Sequence, residues 1–190
     1  MRLFVGIPLG SAASSALEAL VCRLRPHAKD LRWTAPASWH FTLEFLGAAT
    51  PPQYDQLLIH LAAVRHAPIA IHLDRPGIFD RAGVFHTAIA RTPPLAALQS
   101  LVAAAVALCG FVPDARPYHP HITLARAKGP DRLRTLRALE PYIAHTPTLP
   151  GFTAHEFLLY ESHLLPAGAE YEVRARFPLR VQPAAPSTCS

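Results

Sequence analysis

The chain repeats one four-residue pattern, His-x-Thr-Leu, in two strand-like segments. The pattern occurs in WHFTLEFLG at residues 39–47 and in PHITLARAK at residues 120–128, and its two histidines, His40 and His121, are 81 positions apart. Alternate residues of a strand point to the same side. Each segment would therefore present its histidine and threonine on one face and apolar side chains on the other, which predicts a fold made of two similar halves.

Predicted strands and helices alternate in the same order in both halves. The first half contains, in order, a strand at 2–9, a helix at 11–27 capped by Ser11, a strand at 39–47, a helix capped by Thr50 and a strand at 68–73. The second half contains a strand at 84–92, a helix at 94–109, a strand at 119–127, a helix at 131–143 and a strand at 152–165. One more strand is expected at 169–179. These patterns predict an α+β fold.

The spacing of the elements favours an internal duplication. Phe4 precedes His40 by 36 residues, and Phe85 precedes His121 by the same number. We therefore expect two pseudo-symmetric β-α-β-α-β lobes whose mostly antiparallel sheets face a central cleft.

The expected domain organisation is a single two-lobed unit over residues 1–180. The lobes would cover roughly 1–80 and 81–165, the latter followed by a closing strand. The remaining residues, 181–190, have the composition of a disordered tail.

Composition narrows the class of protein. Hydrophobic residues make up 51% of the 190 residues, yet no run approaches the ~20 apolar residues that span a bilayer, and the first residues lack a secretory signal. We therefore expect a cytoplasmic monomer that does not associate with membranes. The net charge of +5 favours anionic partners, and the three cysteines show no metal-ligand spacing.

Paired histidines and threonines suit displacement at phosphorus without a metal or another cofactor. One imidazole can take a proton from the entering oxygen while the other gives one to the leaving oxygen, and threonine hydroxyls can donate to the phosphoryl oxygens. If the halves face each other, His40, Thr42, His121 and Thr123 line one cleft. Three other interpretations stay open: two core strands without chemistry, a metal-dependent phosphoesterase suggested by HPH at 119–121, and an RNA-binding module without catalysis.

The motifs and their flanking segments resemble the RNA 2′,3′-cyclic phosphodiesterases, historically called 2′-5′ RNA ligases, of the two-histidine phosphoesterase superfamily. The resemblance extends over nearly the whole chain, and the segments that carry it are RLFVGIP at 2–8, RWTAPASWHFTLEFLG at 32–47, PHITLAR at 120–126 and FLLYESHLLPAGAEYEVRARFPL at 157–179. The resemblance implies a two-lobed fold with the active site between the lobes. It also implies hydrolysis of RNA or nucleoside 2′,3′-cyclic phosphate ends to 2′-phosphates without a metal, together with reversible 2′-5′ ligation. Another cyclic nucleotide or a 2′-5′ linked oligonucleotide stays open as the substrate.

The resemblance also implies a role for each motif residue. His40 would be the proton donor to the leaving 3′-oxygen, and His121 would be the proton acceptor that activates water. Thr42 and Thr123 would hold the phosphate.

Three further residues are candidates for substrate binding. Arg126 belongs to the second motif, but strict alternation places it opposite His121, so it reaches the phosphate only if the strand bulges. Phe45 is expected in the core, with a base-stacking platform as the alternative. Tyr118 precedes the second motif and would line the cleft.

Two positions depart from the family pattern. Glu44 stands where the family usually has lysine or arginine, and alternation puts it on the His40 face, about 14 Å away, where it would rim the cleft and weaken its attraction for RNA. His86 stands near a position where the family often carries an aromatic residue, which puts base stacking there in question.

Overall fold

The computed structural model describes residues 1–114, 116–144, 146–165 and 168–180, so the predicted tail at 181–190 lies outside the described residues. Within these ranges, no helix has the length and the apolar character needed to cross a bilayer.

Strands and helices lie close to the segments that the periodicity predicts. The strands are β1 Arg2–Pro8, β2 Arg32–Trp33, β3 His40–Ala48, β4 Ile69–Ile71, β5 Leu73–Phe79, β6 Val84–Ile89, β7 His121–Arg126, β8 Phe152–Ala154, β9 Glu156–Leu165 and β10 Gly168–Pro178. The helices are α1 Ser11–Leu24, α2 Pro51–Ala62, α3 Pro93–Ala107, α4 Arg132–Arg137 and α5 Glu140–Ile143, with short 3₁₀ helices at Arg25–His27 and Pro36–Ser38. All strand pairs among the described residues are antiparallel. The predicted α+β class with mostly antiparallel strands is confirmed.

One eight-stranded sheet carries both halves of the chain. Seven of its strands run in the order β10-β9-β1-β3-β7-β6-β5, and β2 also pairs with β7, while β4 and β8 form a separate two-stranded sheet. The halves are joined where Phe41 of β3 pairs with Ile122 of β7. Among the described residues the β3–β7 ladder consists of this pair alone, so the two strands separate and leave a cleft between the halves.

Some strands cross between the halves. The segment 152–165, expected as one strand of the second lobe, is interrupted at His155 and forms β8 and β9, of which β9 pairs with β1 of the first half. The short strand β2 in turn pairs with β7 of the second half.

The strand β5 is not predicted, because Pro76 and Gly77 are typical of turns. It lies at the edge of the sheet, where the missing N–H of a proline is tolerated.

The helix ends correct three predictions. Gly10, not Ser11, is the N-cap of α1, and that helix ends at Leu24 before a 3₁₀ turn. The helix predicted at 131–143 is two short helices, because Pro141 has no N–H to donate and instead occupies the first turn of α5. Thr50 does cap α2, in a capping box with Gln53.

The predicted register of the repeat is wrong by one residue. Val5 pairs with Glu44, and Phe85 pairs with Ala125. Since Glu44 and Ala125 each lie four residues after a motif histidine, the position equivalent to Phe85 is Val5 and not Phe4.

A single hydrophobic core covers the face of the sheet that the motif threonines do not use. The apolar neighbours of the motif residues, Phe41, Leu43, Ile122 and Leu124, are buried in it. Helices α1, α2 and α3 supply the facing layer through fully buried leucines such as Leu17, Leu57 and Leu98. Each such side chain contributes about 1.5–3 kcal/mol when it is fully buried, which fixes the sheet against the helices and leaves its other face to the cleft.

Candidate active site

Strand β3 has a bulge directly after its threonine. Its register with β1 passes from Thr42, which pairs with Gly6, directly to Glu44, so Leu43 has no partner in the ladder. A bulge shifts the alternation of side chains by one residue. Phe45 is therefore turned outward, is 61% exposed and lines the cleft. Its expected place in the core is wrong, and its alternative place at the substrate side of the strand agrees with the structure.

Strand β7 has the same bulge at the equivalent position. Its register with β6 skips Leu124 after Thr123. This bulge turns Arg126 to the side of His121, and Arg126 lines the cleft although strict alternation would place it on the opposite face. Phe45 and Arg126 thus occupy equivalent positions, each five residues after its histidine.

A side chain from the segment before the first motif holds the β7 bulge. The hydroxyl oxygen of Thr34 lies 2.7 Å from the carbonyl oxygen of Thr123 and 2.8 Å from that of Leu124, and it accepts a hydrogen bond of 3.2 Å from the indole N–H of Trp39. A bulge leaves backbone groups without ladder partners, and Thr34 supplies donors for them: its backbone N–H donates to the carbonyl oxygen of Leu124 at 2.9 Å, so its hydroxyl hydrogen is available for that of Thr123. Thr34 is not predicted from the sequence, where it is one more threonine in an extended segment.

The two histidine rings are held in the same way. Nδ1 of His40 lies 2.9 Å from the carbonyl oxygen of Ser38, and Nδ1 of His121 lies 2.8 Å from that of His119. A carbonyl oxygen only accepts, so Nδ1 of each ring carries a hydrogen and Nε2 is the free nitrogen. Each Nε2 can accept a proton in the neutral ring and donate one in the protonated ring.

A cleft of about 770 Å³ brings the four motif residues together. Its lining includes His40, Thr42, His121 and Thr123, as well as Arg126. A second cavity of about 610 Å³ adjoins it and shares part of its lining, His121 among others. The predicted meeting of the two polar strand faces therefore agrees with the geometry of the cleft.

Aromatic rings surround His40. The centroid of its ring lies 4.7 Å from that of Phe4, 4.9 Å from that of Tyr171 and 5.5 Å from that of Tyr160. The pKa of His40 is lowered to about 4, mainly by burial and also by the positive charges of His121 and Arg126, against the opposing effect of its backbone hydrogen bond. The ring is therefore neutral at pH 7 in the free protein.

His121 is supported by Phe79 and His86. Its ring centroid lies 4.9 Å from that of Phe79 and 5.6 Å from that of His86, and burial lowers its pKa. His86 is buried and stacks on Phe79 at 3.8 Å, and burial lowers its pKa to about 4. It lines neither cavity. His86 thus packs against the back of the site and offers no stacking surface to a base.

Glu44 does not rim the cleft as an exposed charge. The bulge turns it into the protein, where it is only 4% exposed and accepts hydrogen bonds of 3.2 Å from the side-chain amide of Gln99 and from the backbone N–H of Asp114. Burial raises the pKa of its carboxyl group. Glu44 therefore anchors the loop that leads to the second motif, at the wall of the second cavity.

Tyr118 belongs to the same loop and lines the second cavity. Its hydroxyl donates a hydrogen bond of 3.0 Å to the carbonyl oxygen of Thr42, and burial raises its pKa. Its hydroxyl hydrogen is thus used to position β3, and its ring is the part that faces the cavity.

Besides Arg116, two arginines that the sequence does not single out also line the cleft. Arg2 is the first residue of β1, and Arg32 lies in β2. A lone arginine at the start of a strand is usually a solvated surface residue, so the sequence carries no signal for either.

The metal-dependent alternative predicts histidines and carboxylates within reach of one ion. Among the described residues, the group that meets this distance criterion is Glu161, His163 and Glu172, and it includes neither motif histidine. The guanidinium of Arg174 already lies 3.5 Å from Glu161 and 3.2 Å from Glu172, so these carboxylates have a cation beside them.

Comparison with known proteins agrees with this geometry. A sequence model described as the 2′-5′ RNA ligase superfamily matches residues 9–164. A relative in Bacillus subtilis (strain 168) named RNA 2′,3′-cyclic phosphodiesterase is 29% identical over 170 residues, which are 85% of this chain and 87% of that protein. A protein of the same name in Thermus thermophilus is 30% identical over 192 residues, 95% of this chain and 91% of its own. The solved structure of E. coli LigT in its apo form has the same fold, with a TM-score of 0.77 and 24% identity over 95% of this chain and 98% of that one. These matches confirm the resemblance predicted from the paired motifs, and the chain belongs to the 2′-5′ RNA ligase superfamily.

Proposed function

We propose that this protein hydrolyses RNA or nucleoside 2′,3′-cyclic phosphate ends to 2′-phosphates by paired histidine acid and base catalysis, without a metal ion. One observation carries the proposal: His40 and His121 line a single cleft, and each has its Nδ1 bound to a backbone carbonyl so that its Nε2 is free. Family membership and the names of the relatives support the class of reaction.

In the proposed reaction, Nε2 of His121 takes a proton from water as the water oxygen attacks phosphorus. The bond between phosphorus and O3′ breaks, and O3′ takes the proton from Nε2 of His40, which leaves a 2′-phosphate and a 3′-hydroxyl. Thr42, Thr123 and Arg126 hold the phosphoryl oxygens. They supply hydrogen bonds and positive charge to a centre that becomes more negative in the transition state.

The same groups account for reversible ligation. In ligation an RNA 5′-hydroxyl takes the place of water, His121 accepts its proton and His40 again protonates O3′, so the product is a 2′-5′ phosphodiester. The two histidines exchange roles in the reverse reaction, in which O3′ attacks the phosphorus of the 2′-5′ linkage and the 5′-oxygen leaves. The cytoplasmic location and the monomeric state predicted from the sequence belong to the proposal as well.

The proposal is tested with a panel of RNA ending in a 2′,3′-cyclic phosphate, nucleoside 2′,3′- and 3′,5′-cyclic phosphates, and 2′-5′ linked oligonucleotides. We expect 2′-phosphate products from the 2′,3′-cyclic members, unchanged by a chelator. We expect kcat to fall about 10²–10⁴-fold in His40→Ala and in His121→Ala. His155→Ala, an exposed histidine between β8 and β9, is the matched control and should behave like the wild type.

Each alternative gives a different result in this panel. A 3′-phosphate product would reverse the assigned leaving oxygen, and loss of activity in the chelator would favour the metal-dependent reading. RNA binding without turnover in the wild type would indicate a binding module. Turnover restricted to 2′-5′ linked or 3′,5′-cyclic substrates would keep the family and change the substrate.

The assignment of donor and acceptor is tested separately with an activated 4-nitrophenyl phosphodiester, whose leaving group needs no proton. If His40 is the donor, His40→Ala recovers activity on this substrate and His121→Ala does not. Recovery of His121→Ala alone would reverse the two roles.

A further inference from the structure

We infer that Arg2 and Arg32 form a binding track for the backbone phosphates of the RNA strand that leads to the cyclic end, and that Arg126, at the reacting phosphate, is the point where this track begins. The inference rests on the proposed function and concerns a separate property, the preference for an RNA end over a mononucleotide. We call Arg2, Arg32 and Arg126 the arginine track.

The first observation is a pair of like charges set opposite each other. In the antiparallel pairing of β2 with β7, Arg32 lies directly across from Arg126. Residues in such positions have Cβ atoms about 4.5–5.5 Å apart, and like charges there repel. Both side chains line the cleft. Within the described residues, neither guanidinium has a carboxylate at salt-bridge distance. A bound anion would supply the negative charge that this arrangement lacks.

The second observation is that a cation faces the same cleft from the other half of the sheet. Arg2 is the first residue of β1, where it pairs with Ala48 of β3, and it lines the same cleft. It too has no ion-pair partner among the described residues. Glu170 is the carboxylate in the described lining of this cleft. The positive charge of the arginine track therefore outweighs the negative charge in this lining, and the track contains residues of both halves of the sheet.

The third observation is that the adjoining cavity has no such excess of positive charge, because its described lining contains two arginines, Arg116 and Arg126, and two carboxyl groups. Its lining contains the carboxyl groups of Glu44 and Asp114. Arg116 lines both cavities, but its Nε lies 2.9 and 3.0 Å from the two carboxylate oxygens of Asp114, so its charge is largely neutralised. The described lining of the first cleft has four arginines against one carboxylate, Glu170, so it should attract a polyanion more strongly than the lining of the adjoining cavity.

The inference predicts a contrast between two substrates. Arg2→Gln and Arg32→Gln should each raise KM for a short RNA with a 2′,3′-cyclic phosphate end about tenfold. They should leave kcat for that RNA, and both constants for a nucleoside 2′,3′-cyclic phosphate, at wild-type values. The slope of log affinity for the RNA against log salt should become less steep by about 0.7 for each arginine removed, the value for one phosphate contact to a single strand.

Two further variants act as controls. Arg23→Gln removes an exposed arginine of α1 outside the cleft and should change neither substrate. Arg32→Lys keeps the charge and should keep the salt slope. Arg32→Gln should unfold at the same or a higher urea concentration than the wild type, because it removes a like-charge repulsion.

Two outcomes would overturn the inference. Wild-type KM and salt slope in both glutamine variants would show that no RNA phosphate contacts the track. An equal loss on RNA and on the mononucleotide would show that these arginines act on the reacting phosphate itself. Failure of the proposed function is distinguishable, since the wild type would then turn over neither substrate. The affinity for the same RNA, measured by fluorescence anisotropy in the same variants, would still show whether the arginine track binds RNA.

Discussion

Substrate binding should draw a proton into the active site. In the free protein, burial lowers the pKa of His40 from 6.5 to about 4 and also lowers the pKa of His121. At pH 7, a group with a pKa near 4 is protonated in about one molecule in a thousand, which corresponds to a free-energy difference of about 4 kcal/mol. The proposed reaction needs one imidazolium, so the free protein is mostly in an inactive protonation state.

The negative charge of the substrate is large enough to change the protonation state of an active-site histidine. A phosphodiester monoanion about 4 Å from an imidazolium contributes about 4 kcal/mol at an effective dielectric constant of 20, comparable with the free energy needed to protonate the ring. The anion favours the protonated ring and therefore raises its pKa in the complex. By linkage, the affinity for substrate strengthens as the pH falls from 8 towards 6.

The assay compares two pH profiles for hydrolysis of a nucleoside 2′,3′-cyclic phosphate, whose own charge is constant between pH 5 and 9. The profile of kcat/KM reports the free protein, and we expect it to fall about tenfold per pH unit above pH ~6.5. The profile of kcat reports the complex, so its alkaline limb should lie at a distinctly higher pH. Coincident alkaline limbs, or a kcat/KM that is flat from pH 5 to 9, would refute the reasoning. Calorimetry in two buffers of different ionisation enthalpy gives an independent measurement: about 4 kcal/mol raises a pKa of about 4 to about 7, so about half a proton should be taken up at pH 7.

Three further predictions concern residues around the site. Thr34→Val removes the hydroxyl that holds the β7 bulge and leaves the Trp39 N–H unpaired. It should lower the free energy of unfolding in urea by about 2–3 kcal/mol and reduce kcat, whereas Thr34→Ser should stay close to the wild type; equal stability of the two variants would contradict this. Thr87 is fully buried, and its hydroxyl has no partner among the described residues, so Thr87→Val should raise the unfolding free energy by about 1 kcal/mol, and a decrease would be the contrary result. His86 has a pKa of about 4 in the folded chain against 6.5 when unfolded, so acid favours unfolding. When the pH falls from 6.5 to 4, the free energy of unfolding should decrease by about 3 kcal/mol less in His86→Phe than in the wild type. An equal decrease in the two proteins would show that His86 does not titrate as inferred.

The sequence predicts the orientation of side chains in the motif strands correctly as far as the leucine that follows each threonine, and it fails from the residue after that leucine. In HFTLEF, apolar side chains at Phe41, Leu43 and Phe45 alternate as they would in a regular strand. The bulge at Leu43 leaves no mark on that alternation, so Phe45 is expected in the core although it faces the cleft. Arg126 is the converse case, because the bulge at Leu124 turns a side chain that alternation points away from the site towards it.

The pairing between distant strands is the other part of the fold that the periodicity of the sequence does not predict. Nothing in the alternation of Arg32 and Trp33 indicates that β2 joins the second half of the sheet, or that β9 joins the first. Such pairings are decided by tertiary packing and not by local preference. The histidines and threonines are found from the sequence because their chemistry is repeated, whereas Arg2 and Arg32 are recognised only by the cleft that they line.

The two bulges give the duplicated strands different ends, with an aromatic ring outward in one and a guanidinium group outward in the other. A site with near two-fold symmetry would accept a ligand in either of two opposite orientations. Because Phe45 and Arg126 occupy equivalent positions and differ in chemistry, only one orientation suits both. Divergence at a single position of the repeat is thus enough to give an otherwise symmetrical reaction centre a direction.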